Sequence, residues 1–363
     1  MPRDRIPPPD STGANLKGST EDPGGRFSRQ MLYYHIGSEG QERLGAARVL
    51  IVGCGALGSH TAEYLARAGV GSLRLVDRDV VEWSNLHRQI GFDEADARER
   101  APKATALARH LARANSSCAL EPQVVDFNWT TALELAADCD LLLDGTDNIP
   151  ARFLLNDVSY KRKVPWVYAG AIGDSAHVQF FSGNSGPCLR CQLPEPPPPG
   201  VLQTCDTAGV IAPAVGAAAS WQAALALRFL VERDAEALAG RKARLALWSG
   251  ETRVVQAEAD PECSVCAGGN FGTLEGEYAE RATLLCGRGA VQVLPSRSAA
   301  KLDLAALASR LEPLGAVEAH PGLLRFAGNE GGRMTVFPDG RALFDGLTDL
   351  PQARSLYARL IGQ

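Results

Sequence analysis

ARVLIVGCGALGSHTAEYLARAGVGSLRLVDRD, residues 47–79, decides the fold. Val49–Val52 is an unbroken apolar run, the pattern of a strand buried on both faces of a parallel sheet. Gly53-Cys54-Gly55-Ala56-Leu57-Gly58 follows at once as a tight turn. The spacing then predicts a helix over Ser59–Ala68, ended by Gly69 as C-cap, and a strand at Leu73–Val76. Glycines in such a turn let a phosphate approach the backbone, and the helix N-terminus meets its charge. Asp77 ends the second strand about 20 residues on, where a carboxylate can hold a ribose hydroxyl. Gly53, Gly55, Gly58 and Asp77 are therefore candidate nucleotide-binding residues. They indicate a nucleotide without saying which.

Outward from this unit the pattern repeats. An Ala/Leu/Arg-rich helix is expected at Pro102–Ala114, a strand at Glu121–Val125, a helix at Thr131–Ala137 and a strand at Leu141–Leu143. Alternation of this kind specifies an α/β doubly wound, largely parallel sheet with a Rossmann-like half. Upstream, an amphipathic helix is expected over Phe27–Ile36, ended by Gly37, after a Pro/Gly/Ser-rich tail at 1–25. Downstream, Pro194–Gly200 reads as an extended crossing loop and Ala212–Leu230 as an Ala-rich helix packed on the sheet. The composition shifts past Cys266, so the main domain is placed at 26–266 and a small α+β domain at 284–363. In the latter, Leu304, Leu307, Leu311 and Leu314 fall at helical spacing, MTVFPDGRALF is a hairpin, and a helix at Pro351–Ile361 closes the chain.

Composition narrows the function. The 363 residues are 45% hydrophobic and 22% charged, as in globular domains that bury a full core. Lys+Arg 37 against Asp+Glu 42 gives a net charge of -5, which argues against a nucleic-acid binder relying on bulk positive charge. No apolar run is expected to approach the roughly 20 residues of a membrane span, and the N-terminal segment lacks the apolar stretch of a secretory signal. A cytoplasmic protein is expected. Nine cysteines include two C-x-x-C pairs, Cys188 with Cys191 and Cys263 with Cys266, a closed four-thiolate set typical of structural zinc. Cys54, Cys118, Cys139 and Cys286 read as small core hydrophobes.

Further motifs sharpen the chemistry. Asp79 follows Asp77; then come Ser84-Asn85-Leu86-His87-Arg88-Gln89, Pro102-Lys103 and Gly145-Thr146-Asp147-Asn148. Arg26-Phe27-Ser28-Arg29-Gln30 precedes them, and Thr204-Cys205 stands before the long apolar helix. In this order, over about two thirds of the chain, these segments resemble the E1-like family of adenylyltransferases that activate ubiquitin-like sulfur carriers in thiamine and molybdopterin synthesis.

The resemblance implies ATP-dependent adenylation of the C-terminal glycine of a small β-grasp carrier ending in Gly-Gly, by a homodimer with a sulfurtransferase as a possible further partner. It assigns phosphate contacts to Arg88 and Lys103, a Mg²⁺ ligand to Asp147 and ribose binding to Asp77. Asp79 and Asn85 line the same pocket, and Arg29 reaches the nucleotide across the dimer interface. Cys205 takes the position that can bond the activated carrier or relay sulfur. The chemistry suits these residues: an α-carboxylate, pKa about 3.5, needs no general base, so the site must supply positive charge and alignment. In the loop expected at Gly173–Gln179, Ala176-His177 replaces a common Gly-Gln, and the proline run 196–199 is unusual. The C-terminal part lacks the cysteine-opened loop of a rhodanese and resembles a small accessory domain of some bacterial thiamine-pathway members.

Two other classes share some of these features. An NAD-dependent oxidoreductase would use the glycine loop and Asp77, but nothing in the chain looks like a hydride-transfer site. A non-catalytic docking module for a ubiquitin-like protein would not need Arg88, Lys103 and Asp147.

Overall fold

The computed structural model describes residues 23–147, 149–195, 209–277, 282–285, 289–294, 302–328 and 333–361. Its main sheet has eight strands: β1 Arg48–Val52, β2 Ser72–Val76, β3 Ala119–Gln123, β4 Leu141–Asp144, β5 Trp166–Ile172, β6 Ser175–Phe181, β7 Arg241–Ala246 and β8 Glu251–Gln256. They lie in the order β3-β2-β1-β4-β5-β6-β7-β8. The strands from β3 to β5 are parallel, and those from β5 to β8 antiparallel. The fold is thus the expected doubly wound α/β sheet, extended by an antiparallel half.

Period-two alternation sorts the core into two layers. Val49 and Ile51 of β1 face one way, with Leu73, Leu75, Leu141 and Leu143. Helices α3 (Ala56–Ala68), α4 (Lys103–Ala114) and α6 (Ala212–Glu232) cover that face. Leu50 and Val52 face the other way, against α5 (Ile149–Arg162) through Leu154, Leu155 and Val158. Helix α6 is 21 residues long, and its most apolar stretch has a mean hydropathy of 1.4. By length and composition it could cross a membrane, so the expectation of no such run is corrected. Its Ala218, Ala223 and Ala226 are buried in the first core layer, against α3 and the sheet.

The N-terminal segment also departs from expectation. A helical turn at Pro23–Arg26 comes first, and of the expected Phe27–Ile36 helix Ser28–Met31 alone is helical (α1); Gly37, at φ 57, opens a further helix, α2 (Gly37–Ala46), rather than closing α1. Of the loop expected at Gly173–Gln179, residues 175–179 instead belong to β6.

A second, antiparallel sheet contains β9 Ala282–Leu285, β10 Ala290–Val293, β11 Gly315–His320, β12 Leu323–Gly328, β13 Arg333–Val336 and β14 Ala342–Asp345, in the order β11-β12-β13-β14-β10-β9. The expected hairpin is β13–β14, turning through Phe337–Arg341. Helices α7 (Leu304–Leu311) and α8 (Leu350–Leu360) close its core through Leu307, Leu311 and Tyr357, against Val291, Leu324 and Phe344.

Candidate functional site

The carboxyl ends of β1, β2 and β4 meet at the glycine turn. Gly53 sits at φ 89, and a Cβ there would come within 2.7 Å of the Gly145 backbone. A Cβ on Gly58 would stand 1.8 Å from the Gly53 carbonyl oxygen. Both positions therefore require glycine, and they lock the β1 turn onto the β4 turn. On Gly55 a Cβ would meet nothing closer than Gln89 Nε2 at 3.8 Å. That side of the loop, at the N-terminus of α3, is left clear, as an anion site needs.

Asp77 is built into the loop. Its Oδ2 accepts from Cys54 N at 2.7 Å and its Oδ1 from Asp79 N at 2.7 Å. Burial pushes its carboxyl up, Lys103 pulls it down, and Asp79 adds to the rise. Lys103 opens α4 with its side chain only 5% exposed and Nζ 3.4 Å from Asp79 Oδ2. The Lys103 amide also donates to the Asp79 carbonyl at 2.9 Å. Asp77, Asp79 and Lys103 are thus brought together at the clear side of the glycine loop. Buried Asn85 accepts from Glu82 N at 3.1 Å and holds the following turn. That turn carries half-exposed Arg88, whose Nη1 donates to Ser84 O at 2.8 Å.

Asp147 is exposed just past the end of β4. Two residues to which the sequence assigns no role hold its turn. Asp144, fully buried, accepts from Thr146 N (2.9 Å), Thr146 Oγ1 (2.7 Å) and Arg152 Nε (2.9 Å). Arg152 Nη2 donates to Thr146 O at 2.9 Å, and its guanidinium lies 4.8 Å from the Tyr168 ring centroid. Burial pushes Asp144 up while Arg152 opposes it. The signal available was an acidic residue closing an otherwise apolar strand, Leu141–Asp144, with an arginine one turn into the following helix.

The four cysteines converge although 75 residues separate the pairs. Cys188 Sγ lies 3.5 Å from Cys263 Sγ and Cys191 Sγ 3.4 Å from Cys266 Sγ, and all four sulfurs fall within 4.8 Å of one another. A tetrahedron of about 2.3 Å metal–sulfur bonds places sulfurs about 3.8 Å apart, so the set fits one four-coordinate ion. Burial and the neighbouring sulfurs push the Cys188 thiol up, and burial pushes Cys266 up to about 12. Four thiolates so close need a cation to hold them ionised.

Cys205 and Asn148 lie outside the described residues, as do Cys286 and the proline run 196–199. Arg29 is exposed on α1, which packs on the far end of α3: Gln30 Nε2 donates to Ala68 O at 2.8 Å. Within one chain it is therefore not brought to the glycine loop. Cys54, Cys118 and Cys139 are buried, and burial pushes Cys54 well up and the other two to about 11, which suits fillers rather than nucleophiles. A surface hollow of about 520 Å³ near Lys163, Ser182, Phe229 and Arg233 lies at the amino end of β5, away from these residues.

A doubly wound sheet with a glycine turn at its strand ends, joined to a four-cysteine cluster that fits one metal ion, is the arrangement of the E1-like class of adenylyltransferases. The model of the ThiF family matches residues 27–265, and the chain belongs to that family. It is 38% identical over 341 residues to a sulfur carrier protein ThiS adenylyltransferase of Bacillus subtilis, covering 93% of this chain and 99% of the other. A sulfur carrier protein adenylyltransferase of Thermus thermophilus is 37% identical over 66% of this chain and 90% of its own. The mouse adenylyltransferase and sulfurtransferase MOCS3 is 43% identical over 57% of this chain and 44% of its own. In fold, the chain is similar to Escherichia coli MccB solved with AMPCPP and MccA: TM-score 0.59, 24% identity, 67% of this chain and 75% of that one.

Proposed function

We propose that this adenylyltransferase uses ATP to activate the C-terminal glycine carboxylate of a small β-grasp sulfur carrier, preparing it to become a thiocarboxylate. The observation that carries this reading is the Asp77–Asp79–Lys103 cluster beside the open face of the glycine loop. A buried lysine held by a carboxylate suits the charge that grows during transfer at the α-phosphorus, a charge that hydride transfer from a dinucleotide does not develop. The ThiS relative, aligned over nearly its whole length, supports the thiamine branch over the molybdopterin one.

The work of the residues follows from their places. The carrier carboxylate attacks the α-phosphorus of ATP, the bond to the β-phosphate oxygen breaks, and pyrophosphate leaves with the electron pair. No proton moves. The Gly53–Gly58 turn and the α3 N-terminus cradle phosphate oxygens, and Asp77 takes the ribose hydroxyls. Lys103 and Arg88 stabilise charge that grows on the transferring group, and Asn85 shapes the turn that presents Arg88. Asp147 offers an exposed carboxylate of the kind a hard Mg²⁺ ion takes, and Mg²⁺ would neutralise charge on the triphosphate. Arg29, remote within its own chain, would complete the site from the other subunit of a homodimer.

Cys188, Cys191, Cys263 and Cys266 would hold one structural zinc, since a closed thiolate set leaves no coordination position for substrate. Cys205 would act after adenylation, as the thiol that attacks the acyl-adenylate or relays sulfur from a separate sulfurtransferase. The test is carrier-dependent exchange of labelled pyrophosphate into ATP. Exchange that requires a partner ending in Gly-Gly supports the proposal, and its absence with every such carrier refutes it.

A further inference from the structure

The second sheet is docked on the segments that build the nucleotide site. Val80, just past Asp79, is buried in one cluster with Leu323, Phe337 and Leu343, and Val124 after β3 packs against it. Arg325 Nη2 donates to Glu99 O (2.8 Å) and Arg100 O (3.0 Å), immediately before Pro102-Lys103. Arg341, in the β13–β14 turn, is fully buried and stacked 3.5 Å from the Phe337 ring centroid. Its Nη2 donates to the Arg78 carbonyl at 2.6 Å, between Asp77 and Asp79. Arg78 in turn donates from Nη1 to Asp126 at 2.9 Å, bridging the carboxyl ends of β2 and β3.

We propose that Arg341 is a positioning residue for the adenosine end of ATP, acting through the backbone between Asp77 and Asp79 and through the Arg78–Asp126 bridge. In doubly wound sheets the ligand crosses the crevice outside the strand carboxyl ends, and the nucleoside lies beside the acid that ends β2. A guanidinium buried with Nε and Nη1 lacking hydrogen-bond partners is an expensive way to fill a turn. Burial lowers its basicity, Asp339 and Asp126 oppose that, and the like charge of Arg78 adds to it. What the arrangement achieves is a fixed Arg78 carbonyl and hence a fixed Asp77–Asp79 segment. The accessory domain is then a wall behind the nucleoside subsite rather than an independent module.

This inference rests on the site being an ATP site, so its test separates the two. Binding of MgATP and of inorganic pyrophosphate is measured by calorimetry on the full chain, for wild type, Arg341→Met and Arg341→Lys. Loss of a hydrogen bond to a charged donor corresponds to a rise in Kd for MgATP of about tenfold in Arg341→Met. Pyrophosphate, which occupies only the phosphate end, should bind within about twofold of wild type, and the lysine variant should fall between. A merely structural role would weaken both ligands alike or neither, and either result overturns the proposal. If wild type binds no MgATP, the functional reading fails first. If wild type binds MgATP and Arg341→Met is indistinguishable from it, only the positioning role fails. Should Arg341→Met not fold, Arg341→Lys decides: a selective loss of MgATP affinity supports the role, and an unchanged ratio of the two affinities overturns it.

Discussion

Replacing Lys103 with methionine removes a charge while keeping the length of the side chain. Nζ lies 3.4 Å from Asp79 Oδ2, and Asp77 stands in the same field. At an effective dielectric of about 20 the Lys103–Asp79 attraction is about 5 kcal/mol before desolvation is charged against it. Asp79 is 23% exposed and has Arg78 Nε 3.9 Å from its Oδ1, so solvent and that guanidinium compensate the carboxylate when Lys103 is removed. The folded state should therefore lose about 1–3 kcal/mol, below the range for breaking a fully buried pair. The catalytic loss should be larger in consequence: a fixed charge aimed at a developing phosphate charge is worth about 10²–10³ in kcat. Pyrophosphate exchange at saturating carrier, with denaturant melts alongside, reads both quantities. A folded Lys103→Met enzyme exchanging within about threefold of wild type would show that Lys103 is only the counterion of Asp79.

Four further outcomes are expected. Arg88→Ala should abolish exchange, whereas Cys205→Ala should retain it and lose thiocarboxylate formation, and equal loss of exchange in both folded variants would refute that division of labour. Metal analysis of carefully reduced protein should find about one zinc per chain, and Cys263→Ser should lose it; unchanged zinc content would exclude the four-thiolate site. Asp77→Asn should cost the nucleotide-free protein stability, because the amide nitrogen cannot accept from one of the two backbone N–H groups that Asp77 binds, and the cost should be smallest near neutral pH. Because burial raises the folded-state pKa of Asp77, its charge penalises wild-type folding above that pKa and the penalty fades as pH falls through it, so the cost of the variant should grow on acidification. Urea titrations across that range would contradict this if the cost shrank toward acid. Trp248→Ala should raise the KM for the carrier and leave that for ATP unchanged: Trp248 is 86% exposed at the β7–β8 turn, at the same end of the sheet as the glycine loop, and parallel shifts in both constants would count against it.

The glycine loop was legible because its determinants are consecutive: an apolar strand, fixed glycines and an acid at the end of the next strand. The cysteine pairs were legible for a related reason, since thiolate spacing is local even when the pairs are far apart. Helix α5 was not. Asn156, Asp157 and Ser159 are buried beside Leu154, Leu155 and Val158, so no polar face marks a period. Strand β8 was hidden in the opposite way, with all six residues exposed and no alternation to read. The N-terminal helix was misread because Gly37 at positive φ starts a helix here, although glycine in that conformation more often ends one. Asp144 and Arg152 escaped because their pairing exists only once β4 and α5 are placed. The bond from Arg341 to Arg78 spans 263 residues, and no local pattern announces it.

Those less legible contacts share a purpose. Gln222 of α6 is fully buried: it accepts from Thr61 Oγ1 at 2.7 Å and donates from Nε2 to Asp144 O and Val167 O, each at 2.9 Å. One side chain thereby ties the glycine-loop helix α3 to the end of β4 and to β5. Asp144 and Arg152 then carry that rigidity to the turn bearing Asp147, and Arg341 carries it to the segment bearing Asp77 and Asp79. Adenylation asks for no proton transfer, so positional accuracy and fixed charge are what remain for the protein to supply. The satisfied part of that network, Gln222, Asp144 and Arg152, supplies both, because leaving any one of its donors or acceptors unpaired costs about 1–3 kcal/mol. The residues proposed to touch substrate lie in short motifs, while those that hold them still are distributed over the whole fold.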